Sequence, residues 1–169
     1  MKKIKSLKDL LEENVQRLYS GEYYELQHLP VLRERVSSTR LKNLIGRQLS
    51  NSETRLAHLD DLMEQMKVNR DESRKNRVVE GIIESAREIS ENSINEHARD
   101  AGVLSCLQQL SHYDQAECGT VCSYVMMLGY KINAQNLHQT LREEKEIDHQ
   151  LTVLAESSIN KKAGEELLA

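Results

Sequence analysis

Apolar residues recur at alternating steps of three and four positions through four long segments of this sequence, which is the spacing of one face of an α-helix. In the first segment, the stripe consists of Leu7, Leu11, Val15, Leu18, Glu22, Leu26 and Leu29. A single proline (Pro30) and seven glycines among 169 residues leave few interruptions. The sequence therefore predicts an all-α fold, with long helices over residues 6–35, 39–67, 93–128 and 133–158 and a short helix over 78–88.

The connections between these helices differ in length. The first and second helices are joined by a short connection, as are the third and fourth, whereas a charged, aperiodic segment at residues 67–77 precedes the short helix. Two hairpins joined by one long crossover form an antiparallel four-helix bundle of the ferritin-like kind. We expect one domain over residues 1–169, with the bundle at about 6–158 and a C-terminal tail at 159–169.

The charge pattern argues against several classes of protein. The formal charge is −4, both signs are mixed along the chain, and six tyrosines supply all the aromatic residues, so nucleic-acid binding has little support. No stretch approaches the ~18 apolar residues of a membrane span, and no apolar run follows the basic N-terminus, so we expect neither a membrane segment nor a signal peptide. Cys106, Cys118 and Cys122 are an odd number of cysteines, which favours buried reduced thiols and a cytoplasmic protein.

Each long stripe is interrupted by polar residues near its centre. Burying an unpaired carboxylate is costly, so its partner must be a proton, a cation or a metal ion. Bundle proteins build di-metal sites from carboxylates on facing helices, and divalent ions of hard or borderline character prefer such ligands. The interrupting residues, helix by helix, are Glu22; Gln48 and Ser52; Gln108, Ser111 and Gln115; and Glu144 and Asp148.

A second interpretation of this polar layer needs no metal. A central hydrogen-bonded network also fixes the register of helices, and here it would use Gln48, Gln108, Ser111, Gln115 and Tyr19 to satisfy the acids. Lys145 or an arginine would serve equally well to neutralise them. The spacing alone leaves the metal site and the structural layer open.

Several short motifs, in their order and spacing, resemble the YciF-type (YciE/YciF) stress-associated ferritin-like family across nearly the whole chain. The resemblance implies a ferritin-like bundle, often dimeric, with a metal site for which iron and manganese are the candidate ions. The motifs are Leu18-Tyr19-Ser20-Gly21-Glu22 with Leu29-Pro30, Glu80-Gly81-Ile82-Ile83-Glu84, Arg99-Asp100-Ala101-Gly102, Ser111-His112-Tyr113-Asp114 with Gly119-Thr120, Thr140-Leu141-Arg142-Glu143-Glu144-Lys145 with Asp148, and Ile159-Asn160-Lys161-Lys162-Ala163.

The same resemblance implies a ligand set with gaps. The family's second-helix ligands fall, without insertions, on the neutral residues Gln48 and Asn51, and one third-helix glutamate falls on Ser111. A shift of two residues would match Ser52-Glu53-Thr54 instead, but it would move the following leucines off the helical stripe. The candidate metal ligands are Glu22, Asp114, Glu144 and Asp148, with Glu53 added by the shifted match.

Three functions are compatible with these observations. The leading hypothesis is a stress-associated bundle that is non-catalytic or binds metal weakly, because ligands are missing on the second and third helices. The alternative is a di-iron or di-manganese ferroxidase or oxidase. A third is a purely structural dimeric interaction module. The enzyme would use Glu22, Glu53 or Asn51, Asp114, Glu144 and Asp148.

The stripes also predict which apolar residues are buried and which form an interface. Leu10, Leu44, Leu62 and Val103 are expected to point outward and to form the face of a homodimer. The predicted core contains Leu11, Val15, Leu18, Leu41, Ile45, Leu56, Leu59, Leu104, Leu141 and Leu151.

Overall fold

The computed structural model describes residues 3–165, and within that range the chain is built from helices and their connections. The all-α prediction is confirmed, and the helix predicted over 78–88 is longer than expected, at 16 residues. The helices are α1 (Leu7–Arg35), α2 (Thr39–Met66), α3 (Arg77–Asn92), α4 (Glu96–Met127), α5 (Lys131–Leu154) and α6 (Asn160–Glu165), with a π-helical turn at Ala155–Ile159 between the last two.

Helices α1, α2, α5 and α4 lie side by side in that order around a common centre, each antiparallel to its neighbours. Short connections at residues 36–38 and 128–130 make α1–α2 and α4–α5 hairpins. Gly129 adopts a left-handed conformation in the second connection, with φ of 88°, as expected for a helix-ending glycine. Antiparallel contacts between α2 and α5 and between α1 and α4 close the bundle, and they include Arg47–Gln150, Asn51–Thr140 and Arg17–Glu117. Ser37, in the connection after α1, binds Asp100 of α4.

The crossover from α2 to α4 covers one side of this bundle. Residues 67–76 lead into α3, which packs against both α1 and α4. Two glycines permit this close approach: a Cβ atom on Gly21 would lie 2.8 Å from Nδ2 of Asn76, and one on Gly102 would overlap Cγ2 of Ile89. A larger residue at either position would force the contacts between α3 and the bundle to shift.

Asn76 fixes the start of α3 to the bundle. Its side chain accepts a hydrogen bond from the backbone N–H of Val79, which caps the helix. The same amide donates to the backbone oxygen of Arg17 on α1 and accepts from the hydroxyl of Tyr113 on α4, at 3.1 Å in each case. Because Asn76 is 1% exposed, these bonds form out of water and hold α3 across α1 and α4.

The last helix extends further than the sequence predicts. The tail expected at 159–169 begins instead with helix α6, and residues 166–169 lie outside the described residues. Ile159 is 4% exposed and belongs to the apolar core, so burial of this residue favours continued helix across the π-helical turn. At the other end, α1 continues past Pro30 to Arg35.

Two apolar clusters lie on either side of the bundle centre. One contains Leu41, Ile45, Leu104 and Leu151, and the other contains Leu11, Leu59 and Leu137. All ten residues of the predicted core are buried. Their burial confirms the helical phase that the stripes predict.

The predicted dimer face is wrong. Leu44, Leu62 and Val103 are buried inside the chain, and Leu10 is half-buried. The buried stripe of a bundle helix is wider than one residue per turn, so neighbouring apolar positions also turn inward. Homodimer formation itself stays a prediction, which sedimentation at micromolar concentration would test.

The three cysteines lie in buried or half-buried positions, which suits their apolar character. Cys106 and Cys118 are buried, Cys122 is half-buried, and all three are free thiols. This agrees with the expectation of reduced, packed cysteines. Among residues 3–165, no helix combines the length and apolar character needed to cross a membrane.

Candidate metal centre

Four acids and one arginine meet at the bundle centre, between the two apolar clusters. Glu22 and Glu25 come from α1, Arg55 from α2, Asp114 from α4 and Glu144 from α5. Each of the five is at most 1% exposed. Full ionisation would place three unbalanced negative charges in a region shielded from water, so protons or a cation must offset them.

Arg55 bridges two of the acids across the bundle. It donates from Nη1 to Oε1 of Glu22 and from Nη2 to Oε2 of Glu144, the latter at 3.0 Å. Its Nε atom lies 3.4 Å from the hydroxyl of Thr140. The guanidinium is thus held between α1 and α5, and the two buried acids raise its pKa despite its burial.

Glu144 is fully engaged by protein donors. Besides Arg55, its Oε2 accepts a hydrogen bond of 3.0 Å from the amide of Asn51, and its Oε1 accepts one of 2.6 Å from the hydroxyl of Ser111. Asn51 also donates to the backbone oxygen of Thr140 at 3.1 Å. On the outer side of Asn51 and Thr140, a surface cavity of about 450 Å³ lies between α2 and α5.

Glu22 also converges with two acids, Glu25 and Asp114, that make no ion pair with Arg55. One oxygen each from Glu22, Glu25 and Asp114 lie within 4.8 Å of one another. Ser52 donates to Oε2 of Glu25 at 3.3 Å. Among residues 3–165, no donor reaches Oε2 of Glu22, Oε1 of Glu25 or Oδ2 of Asp114, although all three atoms are buried. We call Glu22, Glu25 and Asp114 the acidic triad.

Burial makes the triad hard to ionise. It raises the pKa of Glu22, although Arg55 opposes the shift. Burial, and then the charges of Glu22 and Glu144, hold the pKa of Glu25 well above its usual range. Burial, and then the charges of Glu25 and Glu22, do the same to the pKa of Asp114. The triad therefore keeps protons to higher pH than free carboxyl groups, unless a cation replaces them.

Of the five candidate ligands from the sequence, three lie at the centre and two do not. Glu22, Asp114 and Glu144 come together as predicted. Asp148 lies at the edge, with its side chain 17% exposed and 3.7 Å from Nε2 of His112. Glu53 is exposed on the outer face of α2, away from the bundle centre.

Only some of the side chains that a purely structural layer would use to satisfy the acids do so. Ser111 binds Glu144 as expected, but Gln108 donates to Thr152 and Tyr19 accepts from Arg70. Among residues 3–165, the buried amide nitrogens of Gln48 and Gln115 have no hydrogen-bond partner. Lys145 is exposed, so the neutralising residue is an arginine, Arg55.

Glu25 and Arg55 were missed by the sequence interpretation. Both lie on the stripes at the right spacing: Glu25 is three residues after Glu22, and Arg55 is three after Ser52. The apolar neighbours Leu26 and Leu56 were assigned to those turns instead. Following the helical spacing regardless of residue type would have included Glu25 and Arg55 among the candidate inward positions.

Comparisons with known proteins agree with this architecture. A family described as "Domain of unknown function (DUF892)" matches residues 6–164. Protein YciF of Escherichia coli strain K12 is 30% identical over 160 residues, which cover 95% of this chain and 96% of that protein. The crystal structure of this E. coli stress protein superposes with a TM-score of 0.85 over 94% of this chain and 99% of that one. The structure of YcfI from Rhodopseudomonas palustris, 22% identical, has a TM-score of 0.82 over 89% of this chain and 96% of that chain, which shows a shared fold.

Proposed function

Since the chain belongs to the DUF892 family, as does the E. coli stress protein YciF, we propose that it is a stress-associated, ferritin-like bundle whose acidic triad binds one divalent cation. Two hairpins joined by a single long crossover are the ferritin-like connection. Two observations carry the proposal: one carboxylate oxygen from each triad residue lies within 4.8 Å of the others, and each triad residue has a buried carboxylate oxygen that no donor among residues 3–165 reaches.

The chemistry of the donor set fits a small hard or borderline ion. Carboxylate oxygens are ligands that Mn²⁺ and Fe²⁺ accept, and the cluster contains no thiolate or imidazole that would favour a softer ion. A bound divalent ion would hold Glu22, Glu25 and Asp114 in their ionised forms and offset most of the buried negative charge. It would draw α1 and α4 together at the centre of the bundle.

Glu144 and Asp148 take no part in this proposal. Glu144 already accepts hydrogen bonds from Arg55, Asn51 and Ser111, and Asp148 lies at the edge beside His112. Two-ion oxygen chemistry requires ligands for a second ion. The proposed role is therefore binding or sequestration of a single ion, without catalysis.

Titration of chelator-treated protein with Mn²⁺ tests this proposal. We expect one ion per chain by elemental analysis, and an increase in Tm that grows with Mn²⁺ concentration, because the ion binds the folded state. Asp114→Asn should lose both effects, since an amide is a much poorer ligand than a carboxylate.

The matched control is Glu53→Gln, which removes an exposed acid of the same charge. It should bind Mn²⁺ like the wild type. Binding that survives Asp114→Asn, or that disappears in Glu53→Gln, would place the ion elsewhere. A wild-type Tm that does not change with Mn²⁺ would refute the proposal.

A further inference from the structure

We infer that Arg55 occupies the place of a second cation, so that this protein is built to bind one ion where its carboxylates would otherwise take two. The inference rests on the proposed function for the first ion, but it concerns a different part of the cluster. Arg55 lies between Glu22 and Glu144, and of the triad it makes an ion pair with Glu22 alone among residues 3–165.

The contacts of Arg55 are those that a bridging ion would make. It joins one carboxylate oxygen of Glu22 on α1 to one of Glu144 on α5, and it also contacts the hydroxyl of Thr140. The two oxygens of Glu22 differ in their partners: Oε1 accepts from Arg55, and Oε2 is buried with no donor among residues 3–165. One carboxylate thus borders both a permanent protein cation and the proposed ion.

The identity of the residue matters because a guanidinium is a cation that cannot be released. Arginine stays charged at any pH the folded protein experiences, and its planar fork holds two carboxylates at fixed positions. A metal ion at this place would exchange with solvent and respond to redox conditions. Arg55 therefore fixes the charge of this half of the centre and limits the protein to one exchangeable ion.

Removing the guanidinium should admit a second ion. In Arg55→Ala, Oε1 of Glu22 loses its Arg55 donor, and Oε2 of Glu144 keeps the Asn51 amide but loses the guanidinium. The vacated volume is open to a hydrated ion. We expect Mn²⁺ bound per chain to rise by one relative to wild type, from one to two. The Tm increase caused by Mn²⁺ should also be larger in Arg55→Ala than in wild type.

Two further variants separate this role from ordinary structural support. Arg55→Lys keeps a positive charge at the centre and should bind the same number of ions as wild type. Arg47→Ala removes an arginine from the same helix that pairs with Glu143 at the surface, and it should also leave the stoichiometry unchanged. A merely structural arginine would lower stability without changing the number of ions.

Each outcome decides the inference. An unchanged stoichiometry in folded Arg55→Ala would overturn it, as would an additional ion in Arg55→Lys or Arg47→Ala. Failure of Arg55→Ala to fold in saturating Mn²⁺ would also overturn it, because the ion would not be replacing the guanidinium. If wild type binds no Mn²⁺ and Arg55→Ala binds one, the proposed function fails and the inference about Arg55 stands.

Discussion

Two arginines on α2 make ion pairs with neighbouring glutamates of α5, and they do so in opposite environments. Arg55 binds Glu144 at the centre, where the exposed fractions of the two side chains are 0% and 1%. Arg47 binds Glu143 at 2.5 Å near the surface, where the exposed fractions are 36% and 45%. The pairs share residue types and helices but differ in burial, and Arg55 also binds a second acid, Glu22.

A buried ion pair is important chiefly because the loss of one partner leaves the other charge buried and unpaired. Water solvates Arg47 or Glu143 if the other is lost, so their pairing contributes little. Nothing comparable solvates Glu22 and Glu144 if Arg55 is lost, because both acids are buried. Burial thus turns a marginal surface contact into one on which the charge balance of the centre depends.

The largest effect is expected for Arg55→Ala without metal. Leaving buried charge unpaired typically costs about 3–5 kcal/mol, so the free energy of unfolding at neutral pH should fall by that amount. Urea denaturation after treatment with chelator measures it. A loss below about 1 kcal/mol would mean that the buried and surface pairs do not differ.

Leu59→Ala supplies a reference without charge, one turn further along α2. Leu59 is 0% exposed, and its truncation should cost about 2–5 kcal/mol by loss of apolar contact and creation of a cavity. Unlike the loss in Arg55→Ala, this one should not be recovered by Mn²⁺. Recovery by Mn²⁺ in both variants would show that the ion acts on stability in general.

The pH dependence of stability should report the triad. Between the ordinary carboxyl pKa and the raised values in the fold, the folded state holds protons that the unfolded chain has released. The metal-free protein should therefore lose stability as pH rises above the ordinary carboxyl range, by about 1.4 kcal/mol per pH unit for each such proton.

Glu25→Gln removes one of these protons, so its stability should fall less steeply with pH and exceed that of wild type at pH 8. Denaturant midpoints between pH 5 and 8 measure both quantities, and Glu53→Gln should parallel the wild type. A wild-type stability that rises across this range would contradict the raised pKa values.

The smallest effect is expected for Arg47→Ala. Exposed ion pairs contribute about 0.2–1 kcal/mol, so the loss should lie in that range and shrink further at 0.5 M salt, where the charges are screened. The same thermal or urea experiment at two salt concentrations detects it. If Arg47→Ala lowered the free energy of unfolding as much as Arg55→Ala does, burial would not distinguish the two pairs.

The sequence predicted the helices and the apolar core because both follow from local spacing. Leu11, Leu59 and Leu104 are buried through a pattern that each helix carries by itself. Glu25 and Arg55 share the pattern but are charged, and a charged residue is buried when partners on other helices compensate it. That information is not local, so the positions of Glu144 and Asp114 relative to Arg55 emerge only from the packed bundle. Leu44 and Val103 were assigned to the surface for a different reason, because the buried stripe of a bundle helix is wider than one residue per turn.

The crossover helix has a consequence for the rate at which protons and ions exchange between the buried centre and solvent. Because α3 lies across α1 and α4, with Asn76 fixed between Arg17 and Tyr113, it covers that side of the bundle. The opposite side has a surface cavity whose inner wall includes Asn51 and Thr140, both bonded to the central network. We therefore expect exchange to proceed through brief separation of α2 and α5, with a rate limited by the opening of these two helices and insensitive to the affinity of the centre.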